Sequence, residues 1–338
     1  MPTPLRIAVL GVGRIGKLHA DLITNNVPDA TVAMVQDMHG PSAAATGEAL
    51  GVPHTTDLDA VLSSADVDAV AICSNTPAHV PMLEAAAAAG KAIFCEKPVS
   101  LDLALVDRAL AIVAKAGVPL HIGFNRRFDP AHRSVRQAVL DGLVGDVEMV
   151  RITSRDPAPP PIEYIRSSGG LFLDMTVHDF DMARFVTGSE VVEVSAHAAV
   201  LVDPAIGQAG DIDTAVVVLR HENGAITTID NTRRAVYGYD QRVEVHGSTG
   251  MAQSDNPLSY TGRVHTADGS RLPTIPYFFL DRYVPAYVNQ WKSFVAAVRN
   301  GTPTEVTAAD GRAPLVIGLA ALRSVAERRT ISTADITV

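Results

Sequence analysis

Three short polar side chains, Asp174, His178 and Asp181, recur at i, i+4 and i+7 within the stretch Gly169 to Gly188, GGLFLDMTVHDFDMARFVTG. On one α-helix that spacing stacks them along a single face. Leu171, Phe172, Leu173, Met175, Val177, Phe180, Met182, Phe185 and Val186 point almost everywhere else, so most of the helix is expected to be buried. A solvated face usually carries long Lys and Glu side chains, whereas short Asp and His suit a wet cleft. An imidazole, with an unperturbed pKa of about 6.5, can take up and return a proton near neutral pH when a carboxylate orients it. The same pair could equally be a buried Asp–His hydrogen bond that only holds a core together, and the helix alone leaves both readings open. The i, i+4 spacing also matches metal ligation, but zinc needs three or four protein ligands. His197, His221, His246 and His265 are scattered with no companion pattern, so no metal is expected.

A second group lies near the start of the chain. Gly11-Val12-Gly13-Arg14-Ile15-Gly16 follows the apolar run Leu5 to Leu10 and precedes a helical pattern from Lys17 to Asn26. A lone GxGxxG is weak, and a glycine turn in an ordinary α/β unit would look the same. Here a second strand pattern, Thr31 to Gln36, ends in Asp37, about 20 residues past the last glycine, which is the spacing of a dinucleotide site. Gly11 would allow the tight turn, Gly13 the approach of a pyrophosphate, and Gly16 close packing of the helix. Asp37 would accept hydrogen bonds from the adenosine ribose and repel a 2′-phosphate, so NAD is expected over NADP. Ser74-Asn75-Thr76 and Glu96-Lys97-Pro98 follow later buried strands and are expected at the cofactor, with His79 facing it. Lys97 also admits a plain reading as a surface lysine after a strand.

The elements that must carry these groups alternate as in a doubly wound parallel sheet: Asp68 to Cys73 then Ala78 to Ala89, Ala92 to Cys95 then Asp102 to Ala116, then Leu120 to Phe124. Ligands of such sheets bind beyond the carboxyl ends of the strands. After Phe124 the pattern changes. A helix is expected from Pro130 to Asp141, followed by strands at Val147 to Arg155, Val191 to Val202, Thr214 to His221, Ala225 to Thr232 and Val243 to His246. Glu222-Asn223-Gly224 reads as a hairpin turn, which implies an antiparallel sheet. Two helices, Asp281 to Arg299 and Ala308 to Arg328, close the chain. The fold expected is α/β, a Rossmann doubly wound domain over residues 1–124 and an α+β domain over 125–338. Pro157 to Pro161 fits a stiff loop at a cleft rim or a plain surface connection.

At 338 residues two domains are the default, and 47% hydrophobic with 19% charged residues is ordinary for a globular protein. A net charge of -9 argues against nucleic acid and anionic membrane as partners, since both need basic patches. No apolar stretch approaches the ~18 residues of a membrane span. Cys73 and Cys95 each end an apolar run and read as buried thiols of a reducing compartment. The N-terminus shows no signal-peptide pattern, so a cytoplasmic protein is expected.

With the glycine turn, Glu96-Lys97-Pro98, Gly123-Phe124-Asn125-Arg126-Arg127 and Asp174-Met175-Thr176-Val177-His178 together, the chain resembles the Gfo/Idh/MocA oxidoreductase family from residue 5 to about residue 328. Tyr237-Gly238-Tyr239-Asp240 and the Ser154-Arg155-Asp156-Pro157 segment point to its inositol dehydrogenase branch. The resemblance implies a nucleotide domain binding NAD and a second domain, an open, mainly antiparallel sheet with helices on one side, which often builds a homo-tetramer through its exposed sheet face. It makes Lys97, Asp174 and His178 the catalytic group and places Asn125, Arg126, Asp156, Tyr237 and Tyr287 around a small polyol. His178 would be the general base, Asp174 its orienting carboxylate and Lys97 the donor to the reacting oxygen. The activity implied is oxidation of a secondary hydroxyl of a cyclic polyol, myo-inositol to 2-keto-myo-inositol. Another inositol isomer, an inosamine, an aldose, a redox-neutral glycosidase and a non-catalytic dinucleotide-sensing regulator are the competing readings.

Overall fold

β1 (Leu5–Leu10), β2 (Ala30–Gln36), β3 (His54–Thr55), β4 (Ala69–Ile72), β5 (Ala92–Cys95) and β6 (Leu120–Ile122) pair in parallel, in the order β3-β2-β1-β4-β5-β6, in a computed structural model that describes residues 3–338. β4 and β5 read AVAI and AIFC, and every residue in them is buried. Strands buried on both faces lose the polar alternation of a half-exposed sheet, and the helices Arg14–Asn26, Thr76–Ala88 and Leu103–Ala116 that follow them supply the cover. The strand order reverses between β1 and β4, the switch point where such sheets receive ligands.

The chain forms two compact units. The first runs to Asn125 and takes in Ala286–Leu315; the second comprises Arg126–Pro285 and Val316–Thr337. The sequence pattern alone predicts one second domain from residue 125 onward, whereas Ala286–Leu315 falls in the first unit. Ala286–Leu315 joins the first because of its aromatic side chains. Trp291 stacks on Phe94 of β5 with ring centroids 4.4 Å apart, and Phe294 meets the same ring edge-on. Burying one such side chain contributes about 1.5–3 kcal/mol, so a few of them decide where a helix packs.

In the second unit β7 (Val147–Arg155), β8 (Val191–Ala199), β9 (Thr214–His221), β10 (Ile226–Thr232), β11 (Asp240–Gly247) and β12 (Met251–Ser254) build one sheet. β13 (Val264–Thr266) and β14 (Gly269–Arg271) form a separate exposed ribbon, and β15 (Ile331–Ser332) adds to the large sheet. The order is β12-β11-β7-β10-β9-β8-β15, antiparallel except for the β7–β10 pair. One face carries Val150, Ile152, Val217, Leu219, Ile229, Val243 and Val245, which share a buried core with Phe180, Met182 and Val186 of the helix Val177–Thr187. Alternate residues face the other way. Met149, Val216, Val218, Ile226 and Met251 are exposed there. No helix among the described residues is long and apolar enough to cross a membrane.

Candidate active site

In the first unit the glycine turn has the geometry a dinucleotide needs. Gly11 has φ 87°, and a Cβ on it would lie 2.6 Å from Ser74 Cα, so only glycine fits. A Cβ on Gly13 would instead meet nothing within 4 Å. That space opens above the N-terminus of the helix Arg14–Asn26, whose first turn holds no acidic residue and no side-chain cap. Unsatisfied amides beside free space suit a pyrophosphate. Gly13 and Arg14 are exposed and Ile15 is half-buried, while Val12 is buried and offers only its backbone. Asp37 is fixed at the end of β2 by the Val12 N–H to Oδ2 and the His39 N–H to Oδ1, both 2.8 Å. Ser74, Asn75 and Thr76 stand past the end of β4, with Asn75 exposed at the start of the helix Thr76–Ala88.

His79, expected to face the cofactor, turns inward. It is 2% exposed, with its ring nitrogens 3.0 Å from the Ser74 carbonyl oxygen and 2.8 Å from that of Pro98. Burial pulls its pKa down, against those carbonyls. Its position four residues into an apolar helix face was the signal that it packs between two loops. Glu96 also turns inward. Its Oε1 lies 2.8 Å from His19 Nε2, and the Lys97 N–H donates to its Oε2 at 3.2 Å. Lys97 is half-buried in the turn after β5. Tyr287 is buried edge-on against the His19 ring, with centroids 5.5 Å apart.

In the second unit the helix around His178 departs from the regular spacing read in the sequence. Gly170, at φ 76°, opens a π-helical turn over Leu171–Met175, closed by the Thr176 N–H to the Leu171 carbonyl at 2.9 Å, and a normal helix follows from Val177 to Thr187. The wide turn shifts Asp174 out of phase with the residues after it. Asp174 and His178 are part-buried. Asp181, the third member of the expected stripe, is 1% exposed and takes the Arg127 guanidinium at 2.8 and 2.6 Å. It is therefore structural. Tyr164, carried by the helix Ile162–Ser168 that follows the prolines, donates its hydroxyl to Asp174 Oδ1 at 2.9 Å. Sequence reading missed both that helix and its tyrosine.

Arg126 is committed to internal partners. Its guanidinium bonds Asp179 Oδ1 at 2.6 Å, the Ser154 hydroxyl at 3.3 Å and the Tyr239 hydroxyl at 3.2 Å. Asn231 donates to the other Asp179 oxygen at 2.9 Å and accepts from Thr176 at 2.8 Å, so this buried chain ends on the π turn. Burial pushes the Asp179 carboxyl up while Arg126 and Asn231 pull it down. Asp156 follows β7, and burial pushes it up to about 6, with Arg233 and Arg126 opposing and Asp174 and Asp179 adding to the rise. The second unit thus places Asp156 within the electrostatic reach of Asp174. Arg233, 1% exposed, was missed; a doubled arginine straight after a strand was its signal. Tyr237 is half-exposed, its hydroxyl donating to Asp240 at 2.7 Å and accepting from Arg155 at 3.1 Å. Asn125 is 3% exposed, and its Nδ2 is buried without a hydrogen-bond partner.

The description of an oxidoreductase family with an NAD-binding Rossmann fold matches residues 5–124, and that of the GFO/IDH/MocA C-terminal domain matches residues 132–253. The chain belongs to the Gfo/Idh/MocA oxidoreductase family. Within it, the inositol 2-dehydrogenase of Rhizobium meliloti is 49% identical, covering 98% of this chain and 99% of that protein. The myo-inositol 2-dehydrogenase of Thermotoga maritima is 47% identical over 98% of this chain and 99% of its own. The crystal structure of scyllo-inositol dehydrogenase from Lactobacillus casei with NAD(H) and scyllo-inositol superposes with a TM-score of 0.92 at 29% identity, covering 98% of this chain and 100% of that one.

Proposed function

We propose that this Gfo/Idh/MocA protein is an NAD-dependent dehydrogenase that oxidises a secondary hydroxyl of a cyclic polyol, myo-inositol to 2-keto-myo-inositol. The observation that carries the reading is the exposure pattern of one helix. Amid buried neighbours, Asp174 and His178 stay part-open, and Asp156 lies within the field of Asp174. Two relatives at 49% and 47% identity, both inositol 2-dehydrogenases by name, support the substrate class.

Oxidation of an alcohol to a ketone removes the hydroxyl proton and a hydride from the same carbon. Bound NAD supplies the hydride acceptor. His178 takes the hydroxyl proton, a contribution of roughly 10²–10⁴ in rate. Asp174, itself held by Tyr164, is the carboxylate assigned to stabilise the imidazolium that forms. Lys97 donates a hydrogen bond to the oxygen as negative charge develops on it. Asp156 accepts from the ring hydroxyls, and the unmet Nδ2 of Asn125 supplies a donor. Tyr237 and Tyr287 are weaker candidates for the polyol, and Arg126 is held by Asp179 and Ser154. Gly11, Val12, Gly13, Arg14, Ile15 and Gly16 hold the pyrophosphate, Asp37 the adenosine ribose, and Ser74, Asn75 and Thr76 the remainder.

The exposed apolar face of the large sheet, with Met149 directly opposite Ile226 across β7 and β10, is the surface through which a homo-tetramer would form. The two free, buried thiols Cys73 and Cys95 suit a reducing cytoplasm. A screen of inositol isomers and aldoses with NAD and NADP, following reduced nicotinamide, tests the reading. Turnover of myo-inositol with NAD is the expected result. NADH binding without turnover of any polyol would instead favour a sensing regulator. In the same assay Asp37→Ala should relax the preference for NAD, and an unchanged NAD to NADP ratio would remove that carboxylate from cofactor selection.

A further inference from the structure

We infer that His19 and Trp291 are positioning residues for Lys97, acting through Glu96; this rests on the role proposed for Lys97. The geometry is a directional chain. The Trp291 indole N–H donates to His19 Nδ1 at 2.9 Å. An indole can only donate, so His19 Nδ1 must hold its lone pair and the ring proton must sit on Nε2. That Nε2–H then points at Glu96 Oε1, 2.8 Å away. The second oxygen of the same carboxylate accepts the backbone N–H of Lys97 at 3.2 Å. Each group thus leaves the next one orientation, and the last link is the backbone that carries the lysine.

Two further observations show that the carboxylate is held in place. A Cβ on Gly123 would lie 2.9 Å from Glu96 Cδ, so the absence of a side chain there makes the room in which Glu96 sits. The His19 ring is fully buried and flanked edge-on by Phe94 at 5.2 Å, Tyr287 at 5.5 Å and Trp291 at 5.5 Å. Removing the imidazole deprives a part-buried carboxylate of one of its two N–H donors. The carboxylate then turns toward other donors and draws the Lys97 backbone with it. Displacement of a reacting group by about 1 Å is enough to lower rate as much as 10²-fold.

The test is a kinetic cycle on the full-length protein with NAD and its polyol. His19→Leu should lower kcat about tenfold or more, with KM for the polyol and affinity for NADH within about threefold of wild type. His19→Gln, whose amide can still donate to Glu96, should recover most of that loss; Trp291→Phe, which keeps the ring and removes the donor, should fall between them. The deciding arm repeats His19→Leu in a Lys97→Ala background. A residue that acts through Lys97 has nothing left to position there, so kcat should change less than about twofold. Wild-type kcat in His19→Leu, or the same fold-loss in both backgrounds, overturns the inference. Wild-type turnover in Lys97→Ala alone would strike instead at the role proposed for the lysine, so the two failures are told apart. The chain has a single tryptophan, so its indole resonance reports on this chain of bonds without any substrate. In the wild type it should move on NADH binding and shift again in His19→Gln; an indole signal indifferent to both overturns the inference as well.

Discussion

The two units hold their reactive side chains by different means. In the first, Lys97 follows a buried strand and is steadied by hydrogen bonds that converge on one carboxylate, Glu96, from the Lys97 backbone and the His19 ring, which the Trp291 indole holds in turn. In the second, the helix bearing His178 is anchored by buried charge. Arg126 pairs with Asp179 and Arg127 with Asp181, every side chain at least nine-tenths buried, and elsewhere in the unit Arg282 pairs with Asp129. Removing one member of a buried ion pair strands the other charge and costs about 3–5 kcal/mol, whereas a hydrogen bond with a single charged member nets about 1.5–3 kcal/mol. Damage to the buried ion pairs of the second unit should therefore appear first as lost stability, and damage to the hydrogen-bond chain behind Lys97 as lost rate.

The largest effect separating the two is expected from Asp181→Ala. It leaves Arg127 buried without its carboxylate and should cost ~3–5 kcal/mol in denaturant unfolding of the second unit. A loss under about 1 kcal/mol would break the contrast. His178→Ala comes next: kcat should fall by roughly 10²–10⁴ while the unfolding midpoint stays near wild type, because the ring is part-open. A destabilised protein of normal kcat would move His178 into the structural class.

Smaller effects sharpen the comparison. Burial lifts the Asp156 carboxyl to about 6, so it stays protonated to a higher pH than a free aspartate. Its folded-state pKa is raised, so the stability it contributes is present in acid and is lost as pH rises through about 6, just as the carboxylate that accepts substrate hydroxyls appears. KM for the polyol should fall across that range, and Asp156→Asn should flatten the profile; a bend that survives the substitution assigns it elsewhere. Tyr164→Phe removes one hydrogen bond to Asp174 and should lower kcat about two- to tenfold with little change in stability. Unchanged kinetics would show that Asp174 needs no such support.

Much of this was legible in the residues. Strands β1, β2, β4, β5 and β6 announced themselves as apolar runs ending in turns, the pattern of a sheet buried on both faces, whereas the two-residue β3, His54–Thr55, carries no such signal. Asp174 and His178 stood out as short polar groups on an apolar helix. What escaped depends on partners far away in sequence. The π turn closes on Thr176, whose hydroxyl is fixed by Asn231, and nothing local to residues 171–175 encodes that bond. Asp181 looked like Asp174 until Arg127 claimed it. Trp291 sits in a helix whose periodicity says only that one face is buried, not that it packs on Phe94 of β5.

The most direct test is the initial rate with purified protein, NAD and myo-inositol. The expected result is one reduced nicotinamide for each ketone formed, with the rate lowered at least tenfold by Lys97→Ala and roughly 10²–10⁴-fold by His178→Ala. Stoichiometric NADH binding with no ketone from any inositol isomer would contradict the dehydrogenase reading.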